Sequence, residues 1–100
     1  MRSQKLSVAA HRLWYYLLTM PVLFRWKGCK FLFFSNEGDP REPIHIHVRK
    51  GEAIAKFWIV PEISLAESWG FSGKELNEIR SIIESHAKLI KERWNEYFKL

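Results

Sequence analysis

Residues 44–60 read IHIHVRKGEAIAKFWIV, and this stretch decides the fold. On both sides of Gly51-Glu52 the side chains alternate in character, which predicts two β-strands whose two faces differ. The first strand separates an apolar face from a polar one: Ile44, Ile46 and Val48 against His45, His47 and Arg49. A two-residue connection that contains glycine is typical of a β-hairpin. We therefore predict two adjacent antiparallel strands, and the second ends at Pro61 because proline cannot pair within a sheet.

Further strands are predicted on both sides of this hairpin. Residues 22–26 and 29–35 are rich in β-branched and aromatic residues, and the two-residue connection between them ends in Gly28. Residues 36–43 are rich in glycine, proline and acidic residues and are predicted to be a loop. Residues 63–66 are a candidate for a short final strand. We therefore expect a small antiparallel sheet of four to five strands.

The start of a C-terminal helix is the clearest local signal in the chain. Ser72 and Glu75 have the spacing of a capping box, and Phe71 and Leu76 fit the hydrophobic staple that often accompanies it. One apolar stripe at helical spacing follows: Leu76, Ile79, Ile83, Ala87, Ile90, Trp94 and Tyr97. The sequence thus predicts an α+β fold in which one long C-terminal helix packs on the sheet.

The length of this helix leaves two arrangements open. A helix that runs to the end of the stripe is about 40 Å long, which is longer than so small a domain is wide. It is therefore expected either to overhang the sheet or to break near residues 85–86. An overhang would expose Trp94, Tyr97 and Phe98, and such an aromatic surface would suit a homodimer or another partner.

The net charge of +5 is concentrated outside the predicted domain. Residues 1–19 hold three basic residues and no acidic one, whereas from Met20 onward 13 basic residues face 11 acidic ones, a net charge of +2. Charge alone therefore does not predict binding to nucleic acid. Cys29 is the single cysteine, so neither an internal disulfide nor a cysteine zinc motif can form, and a cytoplasmic location is expected.

Residues 1–19 are interpreted as an N-terminal extension of a single α+β domain that covers residues 20–100. An apolar run begins at Leu13, but no cleavage site of small residues follows it, and it is too short to cross a bilayer. The extension is either an amphipathic helix or an upstream start, with Met20 as the natural first residue. We favour the second interpretation, and no membrane is expected among the partners.

His45 and His47 are the main candidates for chemistry. Two imidazoles two residues apart on a strand share a face, where they could bind one metal ion or act as an acid–base pair. Glu37, Asp39 and Glu42 lie in the preceding loop and could bring a carboxylate to the same face. We take Glu37 as the candidate that joins the catalytic pair or completes a zinc or iron site. The alternative is that both histidines are solvent-facing strand residues that hydrogen-bond to the preceding loop. Apart from such a divalent metal, no cofactor is expected.

Arg49, Lys56 and Trp58 border the same face. Basic residues interleaved with an aromatic residue on an exposed sheet can bind single-stranded RNA through phosphate contacts and base stacking. The alternative is that Trp58 belongs to the core and that the cations are merely solvated. Cys29 lies within a predicted strand and is expected to be a small buried hydrophobe rather than a nucleophile.

Six segments occur in the order typical of one known family: MPVL (20–23), KFLFFSNE (30–37), PIHIHV (43–48), AKFW (55–58), GFS (70–72) and WNEYF (94–98). On these segments the chain resembles the prokaryotic domain-of-unknown-function family DUF4160 over residues 20–100. The resemblance implies no established activity. It implies a gene that neighbours a second small family, DUF2442, in suspected toxin–antitoxin pairs. It also implies a site formed by Asn36, Glu37, His45 and His47.

Three functions stay open. The first is a toxin–antitoxin component that binds a small DUF2442-like partner protein, with RNA as a second candidate ligand. Its enzymatic version is a metal-independent ribonuclease in which His45 and His47 are acid and base and Arg49 or Lys56 contacts the phosphate. The second is a binding module without chemistry. The third is a small metal-binding protein that uses both histidines and Glu37. We predict the first function, a toxin–antitoxin component that binds a partner protein, with Asn36 among its binding residues. Whether it is also an enzyme stays open.

Overall fold

The computed structural model describes residues 22–34 and 42–98, which form one five-stranded antiparallel sheet followed by two helices. The elements are β1 (Val22–Trp26), β2 (Cys29–Leu32), β3 (His45–Lys50), β4 (Ala53–Trp58), β5 (Ser64–Trp69), α1 (Gly73–Ser85) and α2 (Ala87–Tyr97). The strands lie in the sheet in chain order, and each neighbouring pair is antiparallel. The predicted α+β fold is confirmed.

Both predicted hairpins form. Lys27 and Gly28 between β1 and β2 have φ angles of 46° and 81°, and positive φ at both central residues is the mark of a type I′ turn. Gly51 between β3 and β4 has a φ of 60°, which an L-residue with a side chain rarely adopts. These turns set the register, in which Trp26 pairs with Cys29 and β3 pairs with β4 along its whole length.

Two strand lengths differ from the prediction. β2 ends at Leu32 rather than at residue 35, and β5 runs from Ser64 to Trp69 rather than over residues 63–66. β5 is longer because its polar residues pair with β4 despite their low β-propensity. The register shifts at Ala66, where β5 carries one extra residue opposite β4.

The apolar face of the sheet and the inner sides of both helices form one core. Its fully buried members include Phe31, Phe33, Ile46, Val48, Ala55, Phe57, Ile59, Ile79, Ile83, Ile90, Trp94 and Phe98. Each large apolar side chain buried in this way contributes about 1.5–3 kcal/mol. The prediction that the isoleucine–valine face of β3 lies in the core is confirmed.

The start of α1 has the predicted capping box. The Ser72 hydroxyl accepts a hydrogen bond from the Glu75 backbone N–H at 3.1 Å, and the Glu75 carboxylate accepts one from the Ser72 backbone N–H at 2.8 Å. The predicted stripe does not continue as one helix, because the backbone leaves helical geometry at His86, with φ −114° and ψ 13°. The His86 Nδ1 lies 2.8 Å from the Ile82 carbonyl oxygen, and its ring stacks on Phe24 with centroids 4.1 Å apart. The chain therefore takes the second of the two arrangements, a break.

Because the helix breaks, the exposed aromatic surface that an overhang would have created does not form. Trp94 and Phe98 are only 2% and 3% exposed, and Tyr97 is half-buried. After the break, α2 packs against Phe33, whose ring centroid lies 5.2 Å from that of Trp94 and 5.8 Å from that of Phe98. The homodimer through this helix stays a prediction, but without the exposed aromatic residues that motivated it.

The predictions for residues 1–19 lie outside the described residues. Within the part of the chain that the structure does describe, no helix is both long enough and apolar enough to cross a membrane.

Candidate functional site

The predicted site residues of β3 and β4 alternate along the strands with the core residues Ile46, Val48 and Phe57, and His45, at the start of β3, also reaches Trp94 of the core. His45 pairs with Trp58 across the two strands, and His47 pairs with Lys56. Arg49 lies on the same face, two residues beyond His47. The period-two alternation of β3 therefore placed these residues together correctly.

His45 is enclosed rather than exposed. Its side chain is 0% accessible, and its ring lies against Trp58 and Trp94, with centroids 5.3 Å and 5.0 Å away. The Nδ1 atom is 2.9 Å from the Pro43 carbonyl oxygen. Since a carbonyl oxygen only accepts, Nδ1 carries the hydrogen and donates it. The Glu42 carboxylate lies 3.8 Å from the same nitrogen, beyond hydrogen-bond distance.

His47 is nearly as buried, at 8% accessibility. Phe34 stacks on its ring with centroids 3.7 Å apart and planes 6° from parallel, and His45 meets it edge-on at 5.2 Å. The interpretation of both histidines as solvent-facing is therefore wrong, because aromatic side chains pack on them. The predicted hydrogen bond to the loop is present at His45, whose Nδ1 donates to the Pro43 carbonyl oxygen. His47 still lines a surface depression of about 300 Å³, so it is better placed than His45 to meet a ligand.

The ammonium group of Lys56 contacts other side chains and is not freely solvated. Its Nζ lies 3.5 Å from the Glu42 carboxylate and 4.5 Å from the centre of the Trp58 ring. Trp58 itself is half-buried, so it is neither fully in the core nor fully open for stacking. Of the three loop carboxylates predicted to reach this face, Glu42 lies within the described residues and does so, beside Lys56 and 3.8 Å from the His45 Nδ1.

The metal hypothesis is not tested by this geometry. Asn36 and Glu37, which the predicted site requires, lie outside the described residues. Within residues 22–34 and 42–98, no group of three histidine, cysteine, aspartate or glutamate side chains comes together to hold a metal ion. A zinc or iron site thus stays a prediction that depends on where Glu37 lies.

Cys29 behaves as predicted, as a small buried hydrophobe. The side chain is 3% exposed. Burial raises the pKa of the Cys29 thiol above its ordinary value, and the nearby Lys50 ammonium opposes that rise. The thiol therefore stays protonated at neutral pH and is a poor nucleophile.

The sequence patterns do not indicate the exposed side chains of β5. Trp69 is 63% exposed and Leu65 is 40% exposed, and with Ile54 they are the large apolar side chains of the described residues that are exposed. The strand is fixed at both ends. The Arg80 guanidinium donates to the Ile63 carbonyl oxygen at 2.9 Å, and Gly70, with a φ of 88°, lies so close to Ala53 that a Cβ there would be 3.0 Å from its Cα.

Comparison with known proteins identifies one family. Residues 28–95 match DUF4160, which is described as a domain of unknown function. No curated protein and no solved structure matches the chain. The match confirms the family resemblance and carries no partner, ligand or activity with it.

Proposed function

Because the chain belongs to the DUF4160 family, and that resemblance implies a toxin–antitoxin pair, we propose that it is the partner-binding component of such a pair, and we take the place of binding from its surfaces. In this proposal an extended segment of a small partner protein adds to the sheet along the outer edge of β5. The expected partner is the DUF2442-like product of a neighbouring gene. The proposal places binding at the strand edge rather than at the two histidines.

The observation that carries this proposal is the exposure of β5 as an edge strand. β4 pairs with one side of it, and no strand of the described residues pairs with the other side. Natural edge strands are commonly protected by lysine or proline. β5 has the sequence SLAESW and contains neither, so its own protection is limited to the charge of Glu67 and the extra residue at Ala66. It presents Leu65 and Trp69 to solvent instead.

The opposite edge of the sheet is less suited to strand addition. The side chains of β1 are mostly half-buried, whereas five of the six residues of β5 are exposed. β5 is also held at both ends, by Arg80 and by the close approach of Gly70 to Ala53. A rigid edge loses little conformational entropy when a strand pairs with it. The extra residue at Ala66 interrupts the edge, so the partner segment is expected to be short.

Burial of the histidines favours binding over catalysis. A general acid and a general base must both reach the substrate, but His45 is completely enclosed and donates its Nδ1 proton to a backbone carbonyl. In this proposal His45 and His47 stabilise the start of β3. The ribonuclease and metal-binding functions stay predictions for which the described residues supply no added support.

Co-purification with the neighbouring gene product tests the proposal. We expect a stable complex in which the β5 amide protons become protected from hydrogen exchange. Leu65→Lys and Ala66→Lys place a charge on the edge and should weaken the complex at least tenfold. Ser81→Lys, on the exposed side of α1, adds the same charge elsewhere and should leave it unchanged. A complex that resists both β5 variants, or that leaves the β5 amides unprotected, would refute strand addition.

A further inference from the structure

A row of five exposed side chains crosses the sheet on the face opposite the core. The strand register places Arg25 beside Lys30, Lys30 beside Arg49, Arg49 beside Ile54, and Ile54 beside Trp69. Each of the five strands contributes one residue, and all five residues are exposed. We call this set the cross-strand row. It is a different surface from the backbone edge of β5, although Trp69 belongs to both.

The first three members of the row concentrate positive charge. Neighbouring strands lie about 4.8 Å apart, so Arg25, Lys30 and Arg49 are confined to a strip about 10 Å wide. Like charges directly opposite one another destabilise a sheet. The ion pairs found among the described residues join Lys56 or His45 to Glu42 and Arg93 to Glu96, and thus involve none of the three. An anionic ligand bound here would offset the repulsion among the three cations.

The surface beside Lys30 and Arg49 is concave. A depression of about 460 Å³ is lined by Val22, Gly28, Lys30, Leu32, Arg49 and Gly51. Arg49 also lines the depression of about 300 Å³ that includes Phe34, His47 and Lys56. The two depressions therefore share Arg49. The second also contains Glu67, and its Lys56 is paired with Glu42, so it adds no free cation to the row.

The far end of the row is aromatic. Trp69 is 63% exposed and Ile54 beside it is 43% exposed. Positive charges that lead to an open indole ring are typical of surfaces that bind single-stranded nucleic acid, where cations contact phosphates and bases stack on aromatic rings. An isolated inorganic anion would not account for the exposed indole.

We propose that the cross-strand row binds single-stranded nucleic acid, with phosphates on Arg25, Lys30 and Arg49 and a base stacked on Trp69. This goes beyond the proposed function, because it uses a face of the sheet rather than its edge and requires no partner protein. Net charge did not predict it, since the domain carries little excess charge. Its basis is the local alignment of three cations with one open aromatic ring.

Fluorescence anisotropy with a labelled oligouridylate of about 10 nucleotides tests the proposal at low salt. The double variant Lys30→Glu/Arg49→Glu should weaken binding at least tenfold. Lys88→Glu/Lys91→Glu changes the net charge equally at two exposed positions of α2 and should stay within about twofold of the unmodified protein. Equal losses in the two double variants would overturn the proposal, because they would show attraction by net charge alone.

A second set of measurements tests the stacking contact. Trp69→Ala should weaken binding at least fivefold, since stacking of one base is commonly worth that much or more, and Trp69→Phe should restore most of the loss. The slope of the logarithm of the binding constant against the logarithm of the salt concentration should become shallower by about 0.7 for each cation removed. Oligouridylate and oligothymidylate of equal length distinguish RNA from DNA. Binding to neither of them, or binding only to phosphatidylglycerol vesicles, would overturn the proposal.

Discussion

The imidazole of His47 lies flat beneath the ring of Phe34, with centroids 3.7 Å apart and planes within 6° of parallel. This stacking covers the polar face of β3 at the point where the sequence pattern predicts an open surface. It explains why a histidine on the face opposite the core is only 8% exposed. The His-x-His strand is therefore buried on both sides near its start, and its stability depends on aromatic contacts.

Replacement of the ring that covers His47 tests this dependence. Phe34→Ala removes the stacked ring from a half-buried position, and we expect it to lower the free energy of unfolding by about 1–2 kcal/mol. Phe34→Tyr keeps the ring and should cost less than half as much. Urea denaturation followed by far-ultraviolet circular dichroism measures both changes. If the two variants are equally stable, the stacking contributes nothing.

The enclosed position of His45 predicts a structural effect of its removal. His45→Ala creates a cavity and leaves the Pro43 carbonyl oxygen without its imidazole donor, so we expect a loss of about 2–4 kcal/mol in unfolding free energy. Asn77→Ala on the exposed side of α1 is the control and should change it by less than about 0.5 kcal/mol. A His45→Ala variant that keeps full stability but loses a measured nuclease activity would instead support the catalytic hypothesis.

Local sequence signals predicted much of the fold, because hairpin turns, strand alternation and the capping box depend on neighbouring residues. The two hairpins and the start of α1 at Ser72 are of this kind. The burial of His45 was not predictable in the same way, because Trp94 covers it from a helix far away in the chain. The alignment of Arg25 with Lys30 and Arg49 depends on the register of three strands. Such register is not visible in any single segment.

The buried thiol predicts a dependence of stability on pH. Because burial raises the pKa of Cys29, the folded protein retains the thiol proton at pH values where the unfolded chain has lost it. Its contribution to stability is complete below the ordinary thiol pKa and is lost as the pH rises through the folded value. We expect the free energy of unfolding of the unmodified protein, measured relative to that of Cys29→Ala, to decrease from neutral pH to about pH 10. Urea denaturation at both pH values measures this, and a constant difference would contradict it.

The connection between β5 and α1 supplies a matched pair of glycines. Gly70 has a φ of 88°, and a Cβ there would lie 3.0 Å from the Ala53 Cα, whereas a Cβ at Gly73 would meet no atom within 4 Å. Gly70→Ala should therefore lower the free energy of unfolding by at least about 1–2 kcal/mol, through the strained backbone and the close contact. Gly73→Ala should be neutral or stabilising, because alanine restricts the unfolded chain without strain in the helix. Thermal unfolding of the two variants measures the contrast.

Gly70 also fixes the end of β5, so Gly70→Ala is expected to weaken the complex with the partner protein, whereas Gly73→Ala is not. Equal affinities of the two variants for the partner would show that partner binding does not depend on a rigid β5 edge.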